Sequence, residues 1–232
     1  MNKEIIHLAC IMDGNRRWAK RQGLLPWYGH REGMEAVRTV IDFCLEKQIR
    51  FLSLYTFSLE NFKRPEPEKR YLFSYLAKQA EKEVDQFIAK GVQVHFIGDR
   101  TQFPESMRPV CELAERKTAN CKRLCLNLLF CYGGRQELVA SVKNIVHDVK
   151  AGKLTEDKIT EELINQYLWT GSIPAPDLII RTGGMRRLSN FLLYQAAYSE
   201  LCFLDCMWPD MTKVDLENVL NSFKEYKRNF GI

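Results

Sequence analysis

Residues 5–18 read IIHLACIMDGNRRW, from Ile5 to Trp18. The apolar run 5–12 has the length and composition of a strand buried on both faces. It breaks at Asp13-Gly14-Asn15, a turn signal, and resumes as a basic segment with Arg16, Arg17, Lys20 and Arg21. A strand that passes through a glycine turn into a helix start leaves backbone N–H groups where an anion can sit. Arginines at a helix start oppose its dipole unless an anion is held there. One carboxylate and two arginines at such a turn suit a diphosphate held together with a divalent metal. The turn alone is equally well explained as a helix cap.

Outward from this stretch, strand and helix patterns alternate. The periodicity predicts a loop at 23–30, a helix at 33–47, a strand at 51–57, and a charged, twice proline-interrupted mobile loop at 63–70. It continues with a helix at 71–89, a strand at 92–97, a helix at 105–119, a strand at 124–131 and helices at 136–150 and 156–168. A short strand at 177–180, a helical connection at 188–198, a strand at 201–204 and a helix at 214–227 complete it. Such alternation predicts an α/β fold, a mostly parallel central sheet flanked by helices, in one domain spanning residues 1–232. Ligands of such sheets lie beyond the carboxyl ends of the strands. Asp13, Ser58 to Asn61, Gly133 and Arg181 are therefore expected to converge.

Composition limits the alternatives. A formal net charge of +5 over 232 residues is too mild to argue for nucleic acid, and the basic residues fall in short loops rather than on one face. No apolar run approaches the roughly 20 residues that cross a bilayer. The N-terminus carries no secretory pattern. Eight cysteines without a C-x-x-C pair predict reduced thiols in a cytoplasmic protein. Zinc through Cys121, Cys125 and Cys131 is the lesser reading, because no second ligand pair has the usual spacing.

The segment 181–190, RTGGMRRLSN, is a second basic loop whose glycines permit close backbone approach and whose arginines can grip phosphate oxygens in pairs. Neither basic loop matches a P-loop, and no G-x-G-x-x-G occurs. Read from pattern alone, the chain binds a phosphorylated ligand together with a metal.

Five stretches in order, MDGNRRWAK from Met12, GHREG from Gly29, SLENFKRP from Ser58, YGGRQEL from Tyr132 and RTGGMRRLSNFLLYQAAYSEL from Arg181, carry a closer resemblance. Together they resemble the cis-prenyltransferases, most of all the bacterial undecaprenyl diphosphate synthases, over nearly the whole chain. The resemblance implies Mg²⁺-dependent elongation of an allylic diphosphate, such as farnesyl diphosphate, by isopentenyl diphosphate units in Z geometry. The product would be a long polyprenyl diphosphate serving as cell-wall carrier lipid. It implies a hydrophobic tunnel in the fold, a homodimer, and peripheral contact with the inner face of the membrane for product release. Asp13 and Asn61 would be catalytic, and Asp13 and Glu200 would hold the metal. Gly14, Asn15, Arg16, Arg17 and Arg64 would hold the allylic diphosphate, with His30 nearby, and Trp18, Arg21, Ser58, Glu60 and Phe62 would also bind substrate. Arg181, Arg187 and Ser189 would hold isopentenyl diphosphate. Either a carboxylate or the departing diphosphate could accept the proton lost in condensation. The tunnel walls are expected at 37–45, 51–57 and 72–88.

The chain departs from the family pattern in three places. Met185 stands where a glutamate is usual, Phe62 replaces a tryptophan, and Arg228-Asn229-Phe230-Gly231 matches the basic tail only in part. Met185 motivates the alternative reading, a non-catalytic partner subunit of the same family.

Overall fold

Every residue of β1 (His7–Ile11) is buried, which is why this strand carries no polar alternation. Successive side chains point to opposite faces: Leu8 and Cys10 enter one apolar core, Ala9 and Ile11 the other. The structure, a computed structural model, describes residues 4–225. Around β1 stand β2 (Phe51–Ser58), β3 (Val92–Ile97), β4 (Leu124–Tyr132), β5 (Leu178–Arg181) and β6 (Glu200–Phe203). They form one sheet in the order β3-β4-β2-β1-β5-β6, and every neighbouring pair is parallel. From β1 the chain passes to β2, out to the edge at β3 and back to β4 between them, then restarts on the other side of β1 with β5. The carboxyl end of β1 is thus a topological switch point, where such sheets open a crevice.

The helices are α1 (Asn15–Arg21), α2 (Tyr28–Glu46), α3 (Glu66–Lys90), α4 (Arg108–Thr118), α5 (Gly134–Lys150), α6 (Glu161–Tyr167) and α7 (Lys213–Glu225). The larger core takes Val40, Ile41 and Cys44 from α2, Leu72 and Val84 from α3, Cys111 and Ala114 from α4, and Leu216, Leu220 and Phe223 from α7. Its centre is aromatic: Phe130 lies between 4.9 and 6.5 Å, centroid to centroid, from Phe57, Phe73, Phe96 and Phe103.

Several boundaries differ from expectation. The loop predicted at 63–70 is instead a 3₁₀ turn (Leu59–Lys63) and the start of α3, with Pro67 in its first turn. Proline is tolerated there because the N–H it lacks has no intrahelical partner anyway. Helix α2 begins at Tyr28, so Gly29 and Gly33 lie inside it. They serve close packing: a Cβ on Gly29 would sit 1.9 Å from the Asn15 carbonyl oxygen, and one on Gly33 2.6 Å from Asn15 Oδ1. The helix predicted at 156–168 is shortened to α6, capped by Thr160, whose hydroxyl accepts the Leu163 N–H at 3.2 Å. Of the connection at 188–198 only Gln195–Tyr198 is helical, as a 3₁₀ turn. Ser189, Asn190 and Leu192 have φ of 51°, 66° and 43°, which breaks the helix. The tail at 228–231 lies outside the described residues.

The zinc reading is overturned. Among the described residues no three His, Cys, Asp or Glu side chains gather as a metal cage. Cys125 and Cys131 lie on one extended strand, some six residues or roughly 20 Å apart. Burial pushes their thiols up to about 11 and about 12.

Candidate active site

Gly14 caps α1 with φ 105°, a left-handed conformation that turns the chain sharply after β1. A Cβ there would lie 2.9 Å from that of Met207. The turn projects Asp13 beyond the sheet. Its Oδ1 accepts the Gly14 N–H at 2.7 Å and lies 3.4 Å from Arg17 Nη2, while Oδ2 accepts from Arg181 Nη2 at 2.8 Å. Thr182, the residue after β5, locks the backbone: its hydroxyl donates to the Asp13 carbonyl at 2.7 Å.

Arg181 is 5% exposed and is held from the other side as well. Its Nη1 donates to the Arg187 carbonyl and to Ser189 Oγ, the latter at 2.7 Å, and Arg187 Nε reaches the same hydroxyl at 3.3 Å. Across the cleft from Arg181, Glu68 is 3% exposed, and one of its oxygens lies 3.4 Å from Arg64 and 3.6 Å from Arg16. Burial pulls the Arg64 guanidinium below its usual value. His30 stands between these arginines and the core. Burial, then Arg64 and Arg16, pull its imidazole down to about 3, so the ring is neutral at ordinary pH. His30 Nε2, Asn15 Oδ1 and Arg181 Nε are buried polar atoms without a hydrogen-bond partner. Such atoms are costly to leave unpaired, and at a cleft they suit a polar ligand.

One cleft is lined by Asp13, Asn15, His30, Ser58, Glu60, Asn61, Arg64, Arg181, Arg187 and Ser189. A second hollow, beside it, is lined by Gly14, Arg16, Arg17, Lys20 and Arg64 together with Asp13, Asn15 and His30. A third, apolar cavity runs between the sheet and α2, α3 and α4, lined among others by Met34, Val37, Leu72, Leu76, Phe87 and Leu126. All three share Met12, Asn15 and His30. Two basic hollows and an apolar cavity therefore adjoin one another at these residues.

Four expected site residues stand apart from these linings. The Trp18 indole N–H donates to Asp210 at 2.6 Å, tying α1 to the segment after β6. Arg21 is in the last turn of α1. Phe62 packs edge-on against Phe57, at 5.1 Å between centroids. Glu200 opens β6 beside Leu178, whereas Arg181, in the cleft, pairs with Phe203 three residues further on. That register separates Glu200 from the cleft by roughly 10 Å along the strand, too far for Glu200 and Asp13 of one chain to share an ion. Asn61 holds the turn it sits in, accepting the Ser58 N–H at 3.2 Å.

Sequence reasoning missed Glu68, Tyr55, Thr56, Arg135 and Asn190, of which the last four line the main cleft. Arg135 and Asn190 stood inside recognised motifs. Glu68 carried no signal, lying in a stretch that reads as a charged loop.

Mg²⁺ is bound by one or two carboxylates together with substrate phosphates and water. Asp13, partly exposed and facing the arginines of both hollows, fits that mode.

The family model "Putative undecaprenyl diphosphate synthase" matches residues 11–231. A tritrans,polycis-undecaprenyl-diphosphate synthase (geranylgeranyl-diphosphate specific) of Pyrococcus abyssi is 44% identical over 230 residues, covering 97% of this chain and 86% of that protein. A ditrans,polycis-undecaprenyl-diphosphate synthase ((2E,6E)-farnesyl-diphosphate specific) of Xylella fastidiosa is 42% identical, with 97% and 89% covered. Among solved structures, lavandulyl diphosphate synthase from Lavandula x intermedia, in complex with dimethylallyl diphosphate, superposes with a TM-score of 0.95. It is 31% identical and covers 98% of each chain.

Proposed function

This chain belongs to the undecaprenyl diphosphate synthase family and is a cis-prenyltransferase, and we propose that it condenses isopentenyl diphosphate units in Z geometry onto an allylic diphosphate, with Mg²⁺, giving a long-chain polyprenyl diphosphate of the undecaprenyl type. The observation that carries this reading is the meeting of two arginine-lined hollows and one apolar cavity at Met12, Asn15 and His30. A bisubstrate prenyl transfer needs two diphosphate holders and an apolar channel for the growing tail. Each isoprene unit drawn into such a channel removes five carbons from water, worth about 4 kcal/mol at about 0.8 kcal/mol per methylene.

In this reading Arg16, Arg17 and Arg64, with the turn Asp13-Gly14-Asn15, hold the allylic diphosphate. Arg181, Arg187 and Ser189 hold that of isopentenyl diphosphate. Asp13 would hold the Mg²⁺, whose charge would offset that of the leaving diphosphate. The arginines stabilise the negative charge that develops as the allylic C–O bond breaks. Neutral His30 and Asn15 offer polar atoms at the neck, between the phosphate holders and the tail. The isopentenyl double bond then attacks the allylic carbon, and a proton leaves to a carboxylate or to the departing diphosphate. Farnesyl diphosphate is the proposed primer. The two relatives differ in the primer their names carry, so geranylgeranyl diphosphate is the competitor to test.

A homodimer is part of the proposal. Val139, Val142 and Val146 recur at helical spacing on the exposed side of α5, each at least 45% exposed, and Leu201 is 45% exposed on the edge strand β6. Exposed apolar residues recurring along one helix face in this way mark association. A second copy is also the way for Glu200 to approach an Asp13 site. Among the described residues no helix is long and apolar enough to cross a membrane, and a cytoplasmic enzyme with peripheral contact for product release is proposed.

The test is incubation with farnesyl, geranylgeranyl or dimethylallyl diphosphate and labelled isopentenyl diphosphate, with and without chelator, resolving products by length. Chelator-sensitive elongation is expected. Absence of elongation with every primer and divalent metal would replace this reading by the non-catalytic subunit.

A further inference from the structure

Three loops beyond the carboxyl ends of β2, β4 and β5 meet on the side chain of Asn190. Its amide nitrogen donates to Glu60 Oε1 at 2.7 Å and to Gln136 Oε1 at 2.9 Å. Its side-chain oxygen accepts the Arg135 N–H at 2.9 Å, and its main-chain oxygen accepts the Gly134 N–H at 2.8 Å. Gly134 and Arg135 open α5, so both N–H groups are among those a helix cannot pair internally. Asn190 is therefore the cap of a helix more than fifty residues earlier in the chain, and both amide hydrogens are used on the opposite side.

This arrangement specifies asparagine. Both partners of the amide nitrogen are acceptors and the partner of its oxygen is a donor, which fixes the amide orientation. Aspartate would lack the two donated hydrogens. Asparagine also tolerates the left-handed φ of 66° better than most residues. Gly133 is cut to fit: a Cβ there would lie 2.7 Å from Asn190 Nδ2 and 2.3 Å from Gln136 Oε1.

The strain is concentrated at this point. Ser189, Asn190 and Leu192, none of them glycine, all have positive φ. Left-handed backbone in such residues persists only where the surroundings over-determine it, and it gathers at functional sites. The residue adjoining Asn190 is Ser189, whose hydroxyl receives Arg181 and Arg187. Glu60, at the far end of the amide, lies in the turn Leu59–Lys63 that leads into Arg64.

We propose that Asn190 is a positioning residue: by clamping the loops after β2 and β4 it holds Ser189, and through it the Arg181 and Arg187 guanidinium groups, in the geometry that receives the isopentenyl diphosphate. This rests on the assignment of that diphosphate to these three residues. Asn190 touches no reacting atom. Its loss acts most on the holder it adjoins through Ser189, whereas general loosening of the fold weakens both holders alike.

The experiment compares Asn190→Gly, Asn190→Asp, Glu60→Gln and the double variant Asn190→Asp/Glu60→Gln. Asn190→Gly keeps the left-handed backbone and removes only the side chain. Asn190→Asp sets a carboxylate against the Glu60 carboxylate, and Glu60→Gln restores a donor and acceptor with reversed polarity. Binding of isopentenyl diphosphate and of farnesyl diphosphate is titrated separately, alongside condensation kinetics and thermal melting. Isopentenyl diphosphate affinity and KM are expected to worsen on the order of tenfold or more in Asn190→Gly and Asn190→Asp. Farnesyl diphosphate binding is expected to stay within about threefold, and the double variant to bind better than Asn190→Asp alone. Unchanged isopentenyl diphosphate binding in Asn190→Gly overturns the proposal. So does a parallel loss of both ligands with melting temperature, or a double variant no better than Asn190→Asp. Inorganic diphosphate is titrated in the same series. If the unaltered protein binds it but never condenses isopentenyl units, the functional reading fails, and loss of diphosphate binding in Asn190→Gly still decides the positioning role.

Discussion

Arg181 and Asp13, 168 positions apart in the chain, are joined by a 2.8 Å hydrogen bond from Nη2 to Oδ2. Arg181 ends β5 and Asp13 follows β1, its neighbour in the sheet, so the pair exists because β1 and β5 are adjacent. The proposed metal-holding acid thus pairs with the arginine proposed for the second diphosphate. An arriving diphosphate and ion would share out this pair, each charge gaining a new partner. The same contact makes Asp13 both a structural and a chemical residue, and substitutions can separate the two.

Asp13→Asn keeps an acceptor for Arg181, and Asp13→Ala removes it. Arg181 retains the Arg187 carbonyl and Ser189 in either case. Asp13→Ala should therefore cost about 1–3 kcal/mol in stability and remain folded, while Asp13→Asn costs less. Both should lose condensation by a factor on the order of 10³. Urea denaturation and labelled-isopentenyl incorporation measure the two effects. Near-normal rates in either variant would remove Asp13 from the mechanism.

Glu68 sets a buried negative charge between Arg16 and Arg64. Glu68→Ala leaves those guanidinium groups close together without it. Arg16 is half exposed and solvent screens it, so the effect should fall chiefly on Arg64. The KM for the allylic diphosphate should rise on the order of tenfold, with the isopentenyl KM nearly constant. Equal movement of both constants in steady-state assays would show that Glu68 serves the fold generally.

His7 is buried in β1, with Nε2 2.8 Å from Ser53 Oγ and Nδ1 2.7 Å from the Pro174 carbonyl. Burial pulls its imidazole down from 6.5 to about 4, against weaker opposing contributions from the Pro174 hydrogen bond and Asp177. Between these values the unfolded chain binds the proton and the folded chain does not. Stability should therefore decline as pH falls from about 6.5 to about 4 and then level off for this group. The loss should be on the order of 3 kcal/mol. His7→Gln should flatten that part of the pH dependence in urea titrations run across the window. Identical pH curves for the two proteins would sink the assignment.

The β1 strand, the turn at Asp13 and the order of alternating elements were legible because each rests on local pattern: an unbroken apolar run, a turn triplet, a helical stripe. The convergence of Asp13, Ser58, Glu60 and Arg181 followed from sheet topology, since residues after parallel strands share one edge. What local pattern could not supply was long-range partnership. Gly29 read as a loop residue and Gly33 only as the start of a helix, although both lie inside α2 and are required by the approach of Asn15 and Trp208. Glu68 read as a solvated charge and is among the most buried carboxylates. Asn190 read as part of a basic loop, and its role rests on three partners 54 to 130 residues away. Glu200 read as a partner of Asp13, until strand register placed it near the opposite end of β6.

Met185 bears on whether the active site is intact. It is partly buried between Gly184 and Arg186, and its sulfur lies 3.6 Å from Arg187 Nη1. A thioether is a weak acceptor, so Arg187 keeps nearly its full charge for a diphosphate. Met185→Glu would bring a carboxylate to the same guanidinium, on the loop whose Arg181 pairs with Asp13. Two opposing effects follow: Arg187 is partly neutralised, which weakens isopentenyl diphosphate binding, and the added carboxylate strengthens the hold on a divalent ion. The second should prevail at low Mg²⁺, where metal occupancy limits turnover, and fade once the metal is saturating. Condensation is therefore expected to be unchanged or faster in Met185→Glu, with half-maximal Mg²⁺ shifted down. Rates measured across a magnesium titration at fixed substrate separate the two effects. A large loss of activity at every magnesium concentration would mean that the site is adapted to the thioether, with Arg187 needing its whole charge.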